Sequence, residues 1–360
     1  MARIEGLAVS IILPTRNSVR FLQERVESIR AQTFADYEVI VVDTDSTDGT
    51  LELLGEWAAV DARVSVVQAP SGIYQALNFG IARARGEYVY IATSDDTMRA
   101  DALEKMVTAL EAHPECDICD TRLMQIGEDG RELTPSDEEY LRCDGHLLFP
   151  RDRPCVRMPP LDFLMHCGGK TVYISLTQIL VRKSLFEKTG PFPENYGPSA
   201  DYMWGMRAAL ASSTVYIPEK LATWRIRSGQ LTGHKSQKRN FLLMCRMADE
   251  VYAGIADPEL KSGALRLRRL VGFKTFLLPI KRGLPPKEKF IGLSKAFLTH
   301  PLWTGFFLMI YLHHRLVHGK YAGIRAYDHL YRREVIRALG RDWRRRIFDL
   351  GDPKQGGIVV

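Results

Sequence analysis

Two adjacent carboxylates, Asp95 and Asp96, follow the apolar run Tyr88–Ala92 inside the stretch Gly86–Met98. The run is bulky, aromatic and β-branched, which suits a strand buried on both faces of a parallel sheet. Ligands bind at the carboxyl tips of such strands, and two neighbouring acids repel unless a cation or a hydrogen-bonding ligand compensates them. A hard divalent cation holding a phosphorylated ligand meets that need. The competing reading is a strand-to-helix turn, with Asp96 or Thr97 capping a helix over Ala100–His113. Asp43 ends a second apolar run, Glu38–Val42, and Asp201 opens the helical pattern Tyr202–Ala211. A strand-tip carboxylate can grip a ligand or cap an Asx turn. One at a helix start can accept a proton or simply complement the helix dipole.

The surrounding pattern is one that positions such groups. Val9–Leu13 reads as a strand stopped by Pro14, and Thr15, Arg16 and Asn17 follow, with Asn17 expected as N-cap. Val19, Leu22, Val26 and Ile29 then recur at helical spacing. A strand to Asp43, a helix after Asp48-Gly49-Thr50, a strand at Val64–Val67 and a helix at Ile73–Ala84 continue the alternation. The strand Glu87–Ala92, a helix and a strand from Cys116 to Ile126 complete it. This predicts an α/β fold with a mostly parallel central sheet, right-handed crossovers and ligands at the carboxyl edge. After Ile126 the alternation breaks. Glu128–Arg131 is a hairpin turn signal, and Pro135–Gly169 is polar, rich in Pro and Gly, and without clear period. A strand over Val172–Val181, a short helix to Thr189 and strands at Thr214–Ile217 and Leu221–Ile226 follow. From Lys235 the pattern is helical.

With 360 residues the chain can bury a large core. Its start, MARIEGLAVSIILP, runs straight into a strand, so no signal peptide is expected and the chain is assigned to the cytoplasm. Six cysteines are expected as reduced thiols. Cys116 and Cys119 have half of a zinc spacing, but no second pair exists, and burial in a strand is the better reading. The net charge of +6 is uneven. Lys261–Arg346 carries 20 Lys+Arg against 4 Asp+Glu, or +16, and the remainder carries 29 against 39, or −10. An acidic main domain argues against nucleic acid as a partner.

Taken together, Val9–Asn17, Val39–Asp43 with Ser46–Thr50, Asn78-Phe-Gly80 with Ala84-Arg-Gly86, Ser94-Asp95-Asp96 and Ala200-Asp201-Tyr202 resemble glycosyltransferase family 2 over residues 9 to 230. Members are inverting sugar transferases of GT-A fold, and Gly72-Ile73-Tyr74 is similar to bacterial enzymes that assemble surface polysaccharides. The resemblance implies that Asp96 holds Mn²⁺ or Mg²⁺ on the diphosphate of a nucleoside-diphosphate sugar and that Asp95 lies near the ribose. It places Pro14, Thr15, Asn17, Asp43 and Asn78 on the nucleotide side and makes Asp201 the general base toward a saccharide or lipid-linked saccharide acceptor. Arg225 follows as a contact to phosphate or acceptor, with Gln178 and Trp224 on the acceptor side. Arg227 stands where the family often has His; guanidinium does not coordinate metals, so His234 is the alternative ligand. Thr44, Gln75 and Ala200 depart from the family's usual acidic residues. Thr44 matters most, because that position often recognises uracil.

The expected organisation is a GT-A domain over residues 1–234, with a nucleotide half to about residue 126 and an acceptor half beyond it, followed by a basic helical region over 235–360. A nucleotidyltransferase would carry a Gly-rich phosphate loop where this chain has Pro-Thr-Arg-Asn. A non-catalytic scaffold would have no reason to keep Asp96 and Asp201. The apolar run Leu302–Leu312 is too short to span a bilayer. With its basic flanks it is expected either to lie on an anionic membrane surface, as a peripheral protein of the inner membrane, or to pack within the chain or an oligomer.

Overall fold

A computed structural model describes residues 7–69, 71–133, 147–167, 171–227, 237–277, 286–299, 301–318 and 322–350. Its centre is a nine-stranded sheet of order β3-β2-β1-β4-β7-β5-β8-β6-β9. The strands are β1 (Val9–Thr15), β2 (Tyr37–Asp43), β3 (Val64–Gln68), β4 (Tyr88–Ile91), β5 (Cys116–Ile126), β6 (Cys155–Arg157), β7 (Ile179–Arg182), β8 (Ser213–Arg225) and β9 (Ile347–Asp349). Helices α1 (Val19–Arg30), α2 (Thr50–Val60), α3 (Ile73–Ile81) and α4 (Ala102–Ala112) alternate with the first five strands as expected. β1 to β4 are mutually parallel. β1, β2 and β4 have no exposed position because helices cover both faces, whereas Ser65 and Gln68 of the edge strand β3 are exposed.

Several elements depart from the sequence reading. β5 does not join β4, because β7 lies between them and runs antiparallel to both. β5 and β8 therefore point the same way as β1 to β4, and all their carboxyl ends meet at one edge. The two strands expected at Thr214–Ile217 and Leu221–Ile226 are one strand. Pro218 reads as a break, but the pairing skips from Thr121↔Ile217 to Arg122↔Lys220 and then resumes. Such a bulge absorbs the residue that cannot donate to the ladder. The strand expected over Val172–Val181 is confined to β7 and preceded by a 3-10 turn, Leu176–Gln178. The expected irregular stretch carries β6 and α5 (Leu161–His166) in its described part.

Close approach explains one of the glycines. A Cβ on Gly86 would sit 2.6 Å from the backbone nitrogen of Ser10, so only glycine lets this segment lie against β1. Of the cysteines, the five described are buried and form no disulfide among the described residues. Burial pushes the Cys116 thiol up to about 12 and raises Cys119 as well.

Beyond α6 (Leu185–Thr189) and α7 (Ala200–Ala211) come α8 (Gln237–Ala253), α9 (Pro258–Leu277), α10 (Pro286–Thr299), α11 (Pro301–His318) and α12 (Ala322–Leu339). They are not a detached body. Tyr252, Leu270, Phe307 and Leu330 share one buried cluster with Ile12, Val89 and Phe163. The Tyr331 hydroxyl donates to the Leu164 carbonyl at 3.2 Å, and β9 returns as the edge strand beside β6.

Candidate active site

The carboxyl edge gathers the tips of β1, β2, β4 and β8. Thr15 and Asp43 stand in register, and Pro14 faces Val42. Thr15 Oγ1 donates to Asp43 Oδ2 at 2.8 Å, and the Ser46 N–H reaches Oδ1 at 3.0 Å. Asp43 is buried and forms an Asx-type turn with Ser46 that shapes this loop. Asn17 does not cap α1. Ser18 occupies that position, and Asn17 adopts a left-handed φ of 46° with its Oδ1 accepting the Thr47 N–H at 2.9 Å. Asparagine tolerates that conformation better than most residues.

Asp95 and Asp96 follow β4, and the capping alternative fails for Asp96 and Thr97 alike. α4 starts at Ala102 with Asp101 in the cap position, five residues beyond Asp96. The segment is instead pinned by β8. The Thr97 N–H donates to Thr223 Oγ1 at 2.7 Å, the Thr223 N–H to the Thr97 carbonyl at 2.9 Å, and the Arg225 N–H to Asp96 Oδ1 at 2.7 Å. Thr93 Oγ1 donates to the other Asp96 oxygen at 2.5 Å. Burial, reinforced by the Asp95 charge, pushes the Asp96 carboxyl up to about 6. The Arg25 guanidinium, fully buried on α1, opposes that rise. Arg25 lay outside the sequence reading, where its i, i+3 spacing from Leu22 only placed it beside an apolar face.

Among the described residues no group of three or more His, Cys, Asp or Glu surrounds a common point. Among those residues Asp96 stands as a single buried carboxylate rather than as part of a cage. That donor set fits a hard cation that takes its remaining ligands from a diphosphate and water, and burial with like charge beside it is the environment a cation relieves. Asp95 is paired with Arg227, Nε to Oδ2 at 2.7 Å. His234 lies outside the described residues.

Three of the residues expected to bind ligand make hydrogen bonds within the chain. Asn78 Nδ2 donates to the Phe192 carbonyl and to Glu194 Oε1, both at 2.9 Å, and its Oδ1 accepts the Phe192 N–H at 2.9 Å. It thus ties α3 to the segment leading toward Asp201. Gln178 is buried, with Oε1 accepting the Ile174 and Ser175 N–H groups and Nε2 donating to Asp120 Oδ1 at 2.7 Å and to the Thr121 carbonyl at 3.1 Å. All four of its hydrogen bonds are made within the chain. Arg225 is also fully buried. Nε donates to the Asp95 carbonyl at 2.7 Å, Nη1 to the Gly127 and Glu128 carbonyls, and Nη2 pairs with Glu24. Its fork clamps the carboxylate loop rather than facing a ligand. Its neighbour Trp224 remains partly exposed at the tip of β8.

Asp201 lies in the first turn of α7. Burial raises its carboxyl above the ordinary carboxylate value, against which Tyr74 donates a side-chain hydrogen bond and the Tyr202 N–H another, to Oδ1 at 2.9 Å. Tyr74 is buried at the start of α3, which follows β3 directly, so this contact places Asp201 at the same sheet edge as Asp43 and Asp96. Gly72, with φ +137°, makes the entry to α3 possible. Tyr74 escaped the sequence reading as a site residue, although Gly72-Ile73-Tyr74 stood out as a motif. We expect Tyr74→Phe to cost about tenfold or more in kcat/KM, because hydrogen bonds to charged groups contribute about 1.5–3 kcal/mol. The lost donor favoured the ionised form, so the acid limb of the pH profile should move to higher pH. An unmoved limb would make the contact structural only.

Residues 10–175 match the profile described as Glycosyl transferase family 2. The chain carries a glycosyltransferase family 2 domain. A putative teichuronic acid biosynthesis glycosyltransferase, TuaG of Bacillus subtilis, is 34% identical over 127 residues, which are 35% of this chain and 50% of that protein. The chain spans only 24% of another relative that it matches, an uncharacterized protein of Sinorhizobium fredii that is 29% identical over 240 residues, 65% of this chain. The structure of S. aureus TarS 1-349 with UDP-GlcNAc superposes with a TM-score of 0.60 at 17% identity, covering 98% of this chain and 99% of that one. The family 2 domain thus has the GT-A fold, with a C-terminal helical region that the same superposition takes in.

Proposed function

We propose that this chain transfers a sugar from a nucleoside-diphosphate sugar to a hydroxyl of a saccharide or lipid-linked saccharide, with inversion, in the assembly of a bacterial surface polysaccharide. The observation that carries the reading is a pair of carboxylates, the buried Asp96 and the half-buried Asp201, that the fold brings to one sheet edge on separate elements. Asp96 holds Mn²⁺ or Mg²⁺, which supplies positive charge to the departing diphosphate. Asp95, Pro14 and Thr15 frame the nucleoside, while Asp43 and Asn17 order the loop around them. Asp201 accepts the proton of the attacking hydroxyl, and Tyr74 holds it in place. A single displacement with base and leaving group on opposite sides inverts the anomeric centre.

The comparisons support the components separately. TuaG is a putative glycosyltransferase of teichuronic acid biosynthesis, TarS was solved with UDP-GlcNAc, and a mannosyltransferase of Pyrobaculum calidifontis, of the same fold at a TM-score of 0.57 and 19% identity over 91% of this chain and 86% of that one, was solved with GDP-Man and Mn2+. With Thr44 in place of the acid that often reads uracil, the nucleobase is the open variable. The work is assigned to the cytoplasmic side, where nucleotide sugars are found. Incubating the protein with a panel of nucleotide sugars and Mn²⁺ should release nucleoside diphosphate from one of them, faster when a saccharide acceptor is present. Release that is equal in the Asp201→Asn protein would defeat the proposal.

A further inference from the structure

α10 and α11 carry large apolar side chains that stand exposed among the described residues. On α10 these are Phe290, Ile291, Phe297 and Leu298, the last 83% exposed. On α11 they are Leu302, Met309, Leu312 and Leu316, of which Leu302 and Leu316 are 86% and 89% exposed. α11 is thereby two-faced. Thr304, Phe307 and Ile310 are buried toward the rest of the chain, so the run Leu302–Leu312 does pack inward, but only along one side. The exposed residues of α11 repeat at positions i, i+7, i+10 and i+14, a single stripe, and α10 packs against this helix. At on the order of 100 Å² each, the four on either helix alone reach the roughly 300–600 Å² of the largest apolar patch on an ordinary monomer.

Charge distinguishes the occupant. At 3.6 residues per turn, exposed Lys287 and Lys295 fall within the same half of the α10 circumference as its four apolar residues. The region around them carries the +16 of Lys261–Arg346. A second copy of the chain docked face to face would set like charges together, whereas an anionic lipid surface offers the opposite charge and an apolar interior at once. Among the described residues no helix is long and apolar enough to cross a bilayer, which leaves a helix pair lying in the interface.

We propose that the shared outer face of α10 and α11 docks the protein on an anionic membrane surface, with the apolar stripe in the headgroup boundary and Lys287 and Lys295 on lipid phosphates. This goes beyond the transfer reading and does not depend on it. The test is co-sedimentation of the full chain with vesicles of phosphatidylcholine alone or with one third phosphatidylglycerol. The protein should pellet with the anionic vesicles at low salt and return to the supernatant at high salt. Lys287→Gln and Lys295→Gln should each weaken partition about fivefold, a surface lysine contributing about 1 kcal/mol. Phe297→Ser with Leu298→Ser should abolish it. All these positions are exposed, so thermal unfolding and nucleoside diphosphate binding should be unchanged, which separates this test from that of the transfer reaction. Three results would overturn the proposal: no pelleting at low salt, pelleting indifferent to all four substitutions, or a dimer in solution that Leu302→Ser and Leu316→Ser dissociate in a protein that ignores vesicles.

Discussion

Asp201→Asn is expected to lower turnover by about two to four orders of magnitude while leaving nucleoside diphosphate binding intact, because an amide of nearly the same shape cannot take a proton at neutral pH. The substitution also separates catalysis from folding. Burial raises the Asp201 carboxyl in the folded protein above its unfolded value. A raised carboxyl costs stability once the pH exceeds the unfolded value, and the cost is complete above the folded value. A neutral amide escapes that cost, so Tm at neutral pH should be equal to or higher than that of the wild type. A merely structural helix-start carboxylate would give the reverse, a lower Tm with turnover kept within a few-fold. The same shift has a kinetic consequence in the wild type. Turnover should fall as the pH drops through the raised value, above the ordinary carboxylate range.

Asp96→Ala is expected to remove the metal-dependent part of nucleoside diphosphate binding and, with it, measurable transfer. The carboxylate stands beside Asp95 in a buried setting that pushes it up to about 6. A cation relieves this arrangement and a neutral side chain cannot attract one. Asp96 also accepts the Arg225 N–H and the Thr93 hydroxyl, so alanine leaves two donors without a partner. Asp96→Asn keeps an acceptor for one of them and guards against reading a local unfolding as a lost ligand. Calorimetric titration with Mn²⁺ present and absent checks both variants. If either retains the wild-type gain in affinity on adding metal, the cation is held elsewhere.

The parts of the fold that depend on local pattern were legible in the sequence, and those that depend on partners were not. Strands one to five and their helices could be read because each is a periodic segment closed by turn residues, and Asp43 and Asp96 mark strand tips for the same reason. The insertion of β7 between β4 and β5 had no local signal, since strand order is a matter of tertiary packing. Pro218 suggested two strands where a bulge makes one. Asn78, Gln178 and Arg225 have the polar character of ligand-binding residues and stand at the expected edge. The hydrogen bonds that occupy them come from Phe192, Asp120 and Gly127, which no spacing rule connects to them. Tyr74 was hidden in the converse way, as an aromatic in an apolar helical pattern whose hydroxyl meets a carboxylate far along the chain. For the C-terminal helices, the packing expectation describes one side only. One face of α11 packs inward and the other is open.

The central claim is a nucleoside diphosphate held with a divalent cation at the carboxyl edge of the sheet. Its most direct test is calorimetric titration of the wild-type protein with UDP, GDP, ADP, CDP and dTDP, each with Mn²⁺ and again with excess chelator. The account predicts saturable binding of one of these with Mn²⁺ and its loss with chelator. Binding of none of them, or affinity that is unchanged by the chelator, would contradict it.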